Sequence, residues 1–146
     1  MDKIKVLFVD TDNSVRSQMA EGILRTLYSE RSHPFSAGTV SSGIHPAAVK
    51  VMREIGIDIS AARSKKITEF FNEEIDYIVT MDKDCDCSLF PSGTSIINKR
   101  FFDPQSYYGK DRLDFFRKVR DEIFSWVEIS FPIIAKGEKR KCCQMK

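Results

Sequence analysis

Residues 4–9, Ile-Lys-Val-Leu-Phe-Val, form an apolar run broken only by Lys5, and the run stops abruptly at Asp10. A polar stretch follows, Thr11-Asp12-Asn13-Ser14-Val15, and a helical pattern opens near Arg16. An apolar run of this kind suits a strand buried on both faces of a parallel sheet. A strand that passes through a short loop into a helix builds an anion cradle. The first amides of the helix have no intrahelical partner, so they are offered to whatever lies beyond the strand. Arg16 would add a planar, bidentate donor for a tetrahedral oxyanion. Against that expectation stand two carboxylates, Asp10 and Asp12, in the loop itself.

Downstream, helix and strand signals alternate. Met19, Ala20, Ile23, Leu24 and Leu27 recur at helical spacing between Ser17 and Tyr28. Pro34-Phe35-Ser36-Ala37 reads as a strand stopped by Gly38. Pro46 opens a second helix with Ala48, Val51, Met52 and Ile55 on one face, and Gly56 caps it. Residues 67–74 predict a short amphipathic helix, 75–80 a third strand, and Ile96-Ile97 a fourth. The longest helix is expected from Lys110 to about Phe131, with Leu113, Phe116, Val119, Ile123 and Val127 inward and Pro132 closing it. This alternation predicts an α/β fold, a single domain with a doubly wound parallel sheet. Ligands bind such sheets beyond the carboxyl ends of the strands. Asp10 follows the first strand there, and Asp103 follows the last.

The ordered series of motifs resembles the low-molecular-weight protein tyrosine phosphatase superfamily, and in detail its thiol-coupled arsenate reductase branch. The resemblance rests on the frame Asp10-Thr11-Asp12-Asn13-Ser14-Val15-Arg16-Ser17, continued by Gln18-Met19-Ala20-Glu21-Gly22. Further matches are Ser36-Ala37-Gly38-Thr39, Gly43-Ile44-His45-Pro46, Ile55 to Ile59, Ser64-Lys65, Tyr77 to Met81, Phe102-Asp103-Pro104 and Arg120 to Ile123. It implies four parallel strands with helices on both faces, and an anion-binding loop spanning residues 10–17. It also implies that Arg16 binds the oxyanion and that Asp103 acts as general acid. Substrates would be arsenate, phosphate or a phosphoprotein, with a thiol-redox partner in the arsenate reductase branch and no cofactor.

The departures bear on chemistry. The family's nucleophilic cysteine is replaced by Asp10, and Asp12 takes a loop position that is usually small or neutral. Cys87 falls on one resolving-cysteine position, and Lys83 falls where another cysteine would often be. A carboxylate about 4 Å from a phosphate charge costs about 4 kcal/mol per unit-charge pair at an effective dielectric near 20. It cannot form a thiol–arsenic adduct or a mixed disulfide. The sequence therefore predicts a family member impaired or inactive in arsenate reduction and in cysteine-dependent phosphatase chemistry. A non-catalytic binding or regulatory protein using the old pocket is the alternative. A second alternative is a Mg²⁺-dependent phosphatase at Asp10 and Asp12: four apolar residues before Asp10-Thr11-Asp12-Asn13-Ser14 resemble the haloacid-dehalogenase signature. That family's remaining signatures are not matched.

Structural roles suffice for several of these residues. Asn13 would hydrogen-bond the loop from inside, Ser17 would cap or line the helix start, and His45 would cap or pack. Asp103 with Pro104 also makes an ordinary turn. Tyr107 and Tyr108 would either wall a substrate cleft or pack on the surface. Asp10, near Arg16 and unpaired amides, is expected to have a lowered pKa.

At 146 residues and 42% hydrophobic content, one domain with a real core is expected. We expect it to span residues 1–134, with 135–146 a basic, flexible, cysteine-containing tail. A net charge of +2 gives no reason to expect nucleic acid. No run approaches membrane-helix length and no signal-peptide layout opens the chain, so a cytoplasmic protein is expected. Cys85, Cys87, Cys142 and Cys143 form two close pairs, spacings poorly suited to structural disulfides.

Overall fold

The structure is a computed structural model that describes residues 3–82 and 94–136. Four strands, β1 (Ile4–Asp10), β2 (Ser32–Gly38), β3 (Tyr77–Thr80) and β4 (Ser95–Asn98), form one sheet in the order β2-β1-β3-β4. Every pairing is parallel. Three α-helices complete the fold: α1 (Arg16–Tyr28), α2 (Pro46–Glu54) and α3 (Arg112–Ile134). The expected fold class is observed.

β1 lies between β2 and β3 and alternates its side chains between two cores. Val6 and Phe8 pack with Met19, Ile23 and Leu24 of α1, Val51 and Met52 of α2, and Phe116, Ile123 and Val127 of α3. Leu7 and Val9 face the opposite side, with Ala37, Ile67, Phe70, Ile75 and Ile78. Both faces of the sheet are therefore covered by helical segments, but unequally. The second face is covered, among the described residues, by a single 3₁₀ turn, Ile67–Phe70. An amphipathic helix was expected over 67–74. Only Ile67 and Phe70 are buried in this turn, and that i, i+3 spacing matches the tighter 3₁₀ repeat.

The helix ends follow from identifiable groups. His45 caps α2 by accepting the Ala47 amide on Nδ1 at 3.0 Å. Gly56, at φ +81°, closes α2 where the chain must turn left-handed. Pro132 does not close α3, contrary to expectation: the helix runs on to Ile134. A proline removes the hydrogen bond to the carbonyl four residues earlier, here that of Glu128. The Tyr28 hydroxyl donates to that carbonyl at 2.8 Å, and Phe131 and Ile134 bury the last turn.

The chain leaves β1 for β2 on one side and reaches β3 on the other. The carboxyl ends of β1 and β3 therefore flank the crevice where open α/β sheets bind ligands. Among the described residues, no helix is long and apolar enough to cross a membrane.

Candidate functional site

Loop 10–17 is tied to its surroundings from outside. Its carbonyls at Asp10, Thr11, Asp12 and Ser14 accept the amides of Thr39, Val40, Ser42 and His45 at 3.0–3.2 Å. Asn13 takes φ +54°, the left-handed region that asparagine tolerates better than most residues. Fully buried, it organises the loop: Nδ2 donates to Ser17 Oγ at 2.8 Å, and Oδ1 accepts from Gln18 Nε2 at 2.9 Å and the Lys65 amide at 2.7 Å. The structural roles expected of Asn13 and Ser17 are both seen. Gly38 is required here, because a Cβ on it would lie 2.5 Å from the Val40 carbonyl oxygen and 2.7 Å from the Asn13 nitrogen.

Asp10 points into the loop and is only 2% exposed. Oδ1 accepts the Asn13 amide at 2.8 Å and Oδ2 the Ser17 amide, in the first turn of α1, at 2.9 Å. The expectation of a lowered pKa is reversed. Burial raises it from 3.8 to about 6, and the Ser17 amide, the Arg16 charge and the Asn13 amide offset that only in part. Desolvation is the largest contribution, and the guanidinium of Arg16 is hydrogen-bonded to other groups. Its Nη1 donates to the Asp82 carboxylate and to the carbonyls of Phe101 at 3.2 Å and Met81 at 3.4 Å. Its Nη2 lies 3.6 Å from Asp103 Oδ2.

Asp82 was not singled out from the sequence. It lies two residues beyond the end of β3, where the strand-end rule used for Asp10 and Asp103 would also have found it. Its carboxylate also accepts the Thr11 hydroxyl, so it spans from the β3 end to the loop. Gln105 was also missed: its Nε2 donates to Asp12 Oδ2 at 3.1 Å, joining the loop to the segment after β4. Asp103 caps the 3₁₀ turn Pro104–Ser106 through the Gln105 amide at 3.0 Å, and its side chain stays about one-third exposed. The turn role is thus fulfilled while the carboxylate still faces Arg16.

His45 lies beside this group. Burial lowers its pKa and Arg112 adds to the effect, against the opposing charges of Asp12 and Asp103. A neutral Nδ1 is what its capping bond requires. Tyr107 packs at a tilt against Phe115 with ring centroids 4.1 Å apart, and Tyr108, 81% exposed, carries Arg112 over its ring. Two buried donors of the loop, Arg16 Nε and Ser14 Oγ, have no hydrogen-bond partner among the described residues. Among the described residues, no group of three or more His, Cys, Asp or Glu side chains is placed to hold a metal ion. Cys85, Cys87, Cys142, Cys143 and Lys83 lie outside the described residues. A groove of about 1050 Å³ between Lys99–Phe102 and α3 takes no part of its lining from the loop.

Residues 5–131 match the family profile described as low molecular weight phosphotyrosine protein phosphatase. Arsenate reductase 1 of Staphylococcus epidermidis is 38% identical over 130 residues, spanning 88% of this chain and 96% of that protein. A solved arsenate reductase in a phosphate-binding state superposes with a TM-score of 0.78 at 33% identity, covering 92% of this chain and 99% of that one. A low molecular weight protein tyrosine phosphatase from T. tengcongensis gives a TM-score of 0.76 at 25% identity, covering 90% and 99% of the two chains.

Proposed function

Since this chain belongs to the low molecular weight phosphotyrosine protein phosphatase family, we propose that it is an oxyanion-loop protein of arsenate reductase descent in which thiol chemistry is lost. Asp10 stands where the family's nucleophilic cysteine would be. The observation that carries this reading is that both Asp10 oxygens hold backbone amides of the loop, those of Asn13 and Ser17. The charge that an arsenate or phosphate would bring is thus supplied by the chain. An incoming oxyanion meets a buried carboxylate, and at an effective dielectric near 20 that repulsion is about 4 kcal/mol per unit-charge pair at 4 Å, roughly a thousandfold in affinity.

A carboxylate cannot carry arsenic through a thiol adduct or resolve it by disulfide exchange. Under this reading Arg16 and Asp103 remain as the binding arginine and the general acid of a site without a nucleophile. The retained frame then serves a non-catalytic binding or regulatory role, with the old pocket as a surface for a protein partner. A Mg²⁺-dependent phosphatase would need Asp10 to turn its oxygens from the two amides toward a cation.

The test is direct. Purified protein is assayed for arsenate reduction with thioredoxin, glutaredoxin or a low-molecular-weight thiol, and for p-nitrophenyl phosphate hydrolysis without metal. No turnover is expected in either assay, and phosphate binding should strengthen in Asp10→Cys. Turnover in metal-free buffer in either assay would refute the proposal, and its loss on replacement of all four cysteines would show that thiol chemistry persists.

A further inference from the structure

Arg16 is the loop's cationic donor, and it is 3% exposed. A guanidinium so placed needs its donors engaged, and here the charge on the other side comes from the chain. The Asp82 carboxylate accepts from Nη1 and from the Thr11 hydroxyl together. A carboxylate held at once by the loop arginine and a loop hydroxyl presents its oxygens as a bound oxyanion would. Asp103 approaches the same guanidinium only at 3.6 Å, and its other oxygen is occupied by the Gln105 amide. The edge of Arg16 that would complete a bidentate contact, through Nε, is buried and has no partner among the described residues, and the same holds for Ser14 Oγ on the same loop.

We infer that Asp82 is the gate of this loop: its carboxylate competes with external oxyanions for Arg16 and Thr11, and must leave before one can bind. The inference builds on the reading of Asp10 above but concerns a different half of the site. Asp10 holds the backbone amides, and Asp82 holds the side-chain donors. Asp82 lies two residues beyond β3, at the edge of the crevice, and its side chain is about one-quarter exposed. This partial exposure opens a route toward solvent. Asp10, buried beneath the loop, has none.

The experiment measures inorganic phosphate binding by calorimetry at pH 7 in Asp10→Cys, Asp10→Cys/Asp82→Asn and Asp10→Cys/Asp103→Asn. Asp10→Cys/Asp82→Ser serves as a second form should the Asn variant fold poorly, and thermal melts establish folding of each. Comparing Asp10→Cys with the parent tests the reading of Asp10 alone. Comparing the double variants with Asp10→Cys tests the gate. Removal of Asp82 should tighten phosphate at least tenfold, and clearly more than removal of Asp103. A purely structural Asp82 would give the opposite, a loosened loop and weaker binding. Unchanged or weakened affinity, or an equal gain from Asp103→Asn, would overturn the assignment of Asp82 as the gate.

Discussion

Asp10→Asn separates the electrostatics of the buried carboxylate from its shape. The folded-state pKa of Asp10 is raised from 3.8 to about 6. The folded protein therefore holds this proton more tightly than the unfolded chain does. Asp10's contribution to stability is fully present below pH 3.8 and is lost as pH rises through about 6. The whole effect is about 3 kcal/mol, since one pKa unit corresponds to about 1.4 kcal/mol. Between pH 4 and pH 7.5 about 2–3 kcal/mol of it should appear. Asparagine does not titrate, and it sets an NH₂ group against an amide that Asp10 accepts, a fixed cost of about 1–3 kcal/mol. That cost shifts the whole profile without changing its slope. The quantity to measure is thus the difference in unfolding free energy between parent and Asp10→Asn, by urea melts across this pH range. The parent should lose about 2–3 kcal/mol relative to the variant on going from pH 4 to 7.5, equivalent to about 5–10 °C in Tm. Parallel profiles would refute the reasoning. A parent that gains on the variant with rising pH would mean that the amides and Arg16 outweigh desolvation.

Two further outcomes follow from the packing. Gly38→Ala should destabilise the fold by about 1–3 kcal/mol, as overpacking does, and displace the loop at Asn13, visible as shifted amide resonances of residues 10–17. Tyr28→Phe should cost about 1 kcal/mol by stripping the Glu128 carbonyl of its donor. In a Pro132→Ala background, where the residue 132 amide can serve that carbonyl, the same change should cost less, and chemical denaturation of the four species checks the cycle.

The repertoire of elements was legible in the chain because it is local. The apolar run before Asp10 could be little other than a buried strand, and Pro46 and Gly56 marked both ends of α2 by their own backbone preferences. The position of the loop was legible for the same reason, since strand, polar turn and helix start are neighbours in sequence. Elements whose ends depend on distant partners were not. Pro132 breaks a helix by local rules, yet α3 continues because Tyr28, a hundred residues earlier, satisfies the carbonyl it leaves free. The segment after Ile67 carries a helical pattern but buries only enough apolar surface for one turn.

The site divides along the same line. Residue identity alone put two carboxylates and an arginine into the loop after β1. Only the tertiary structure decided where their charges go. From sequence, Asp10 beside Arg16 suggested an ion pair and a lowered pKa. In the fold the guanidinium is drawn to Asp82, Asp103 and the carbonyls of Met81 and Phe101, all brought to the sheet's carboxyl edge by β3 and the segment after β4. Asp10 is left buried among the loop amides, and desolvation outweighs them and the charge of Arg16 together. Desolvation and long-range pairing depend on which elements meet in space, so separation along the chain cannot supply them.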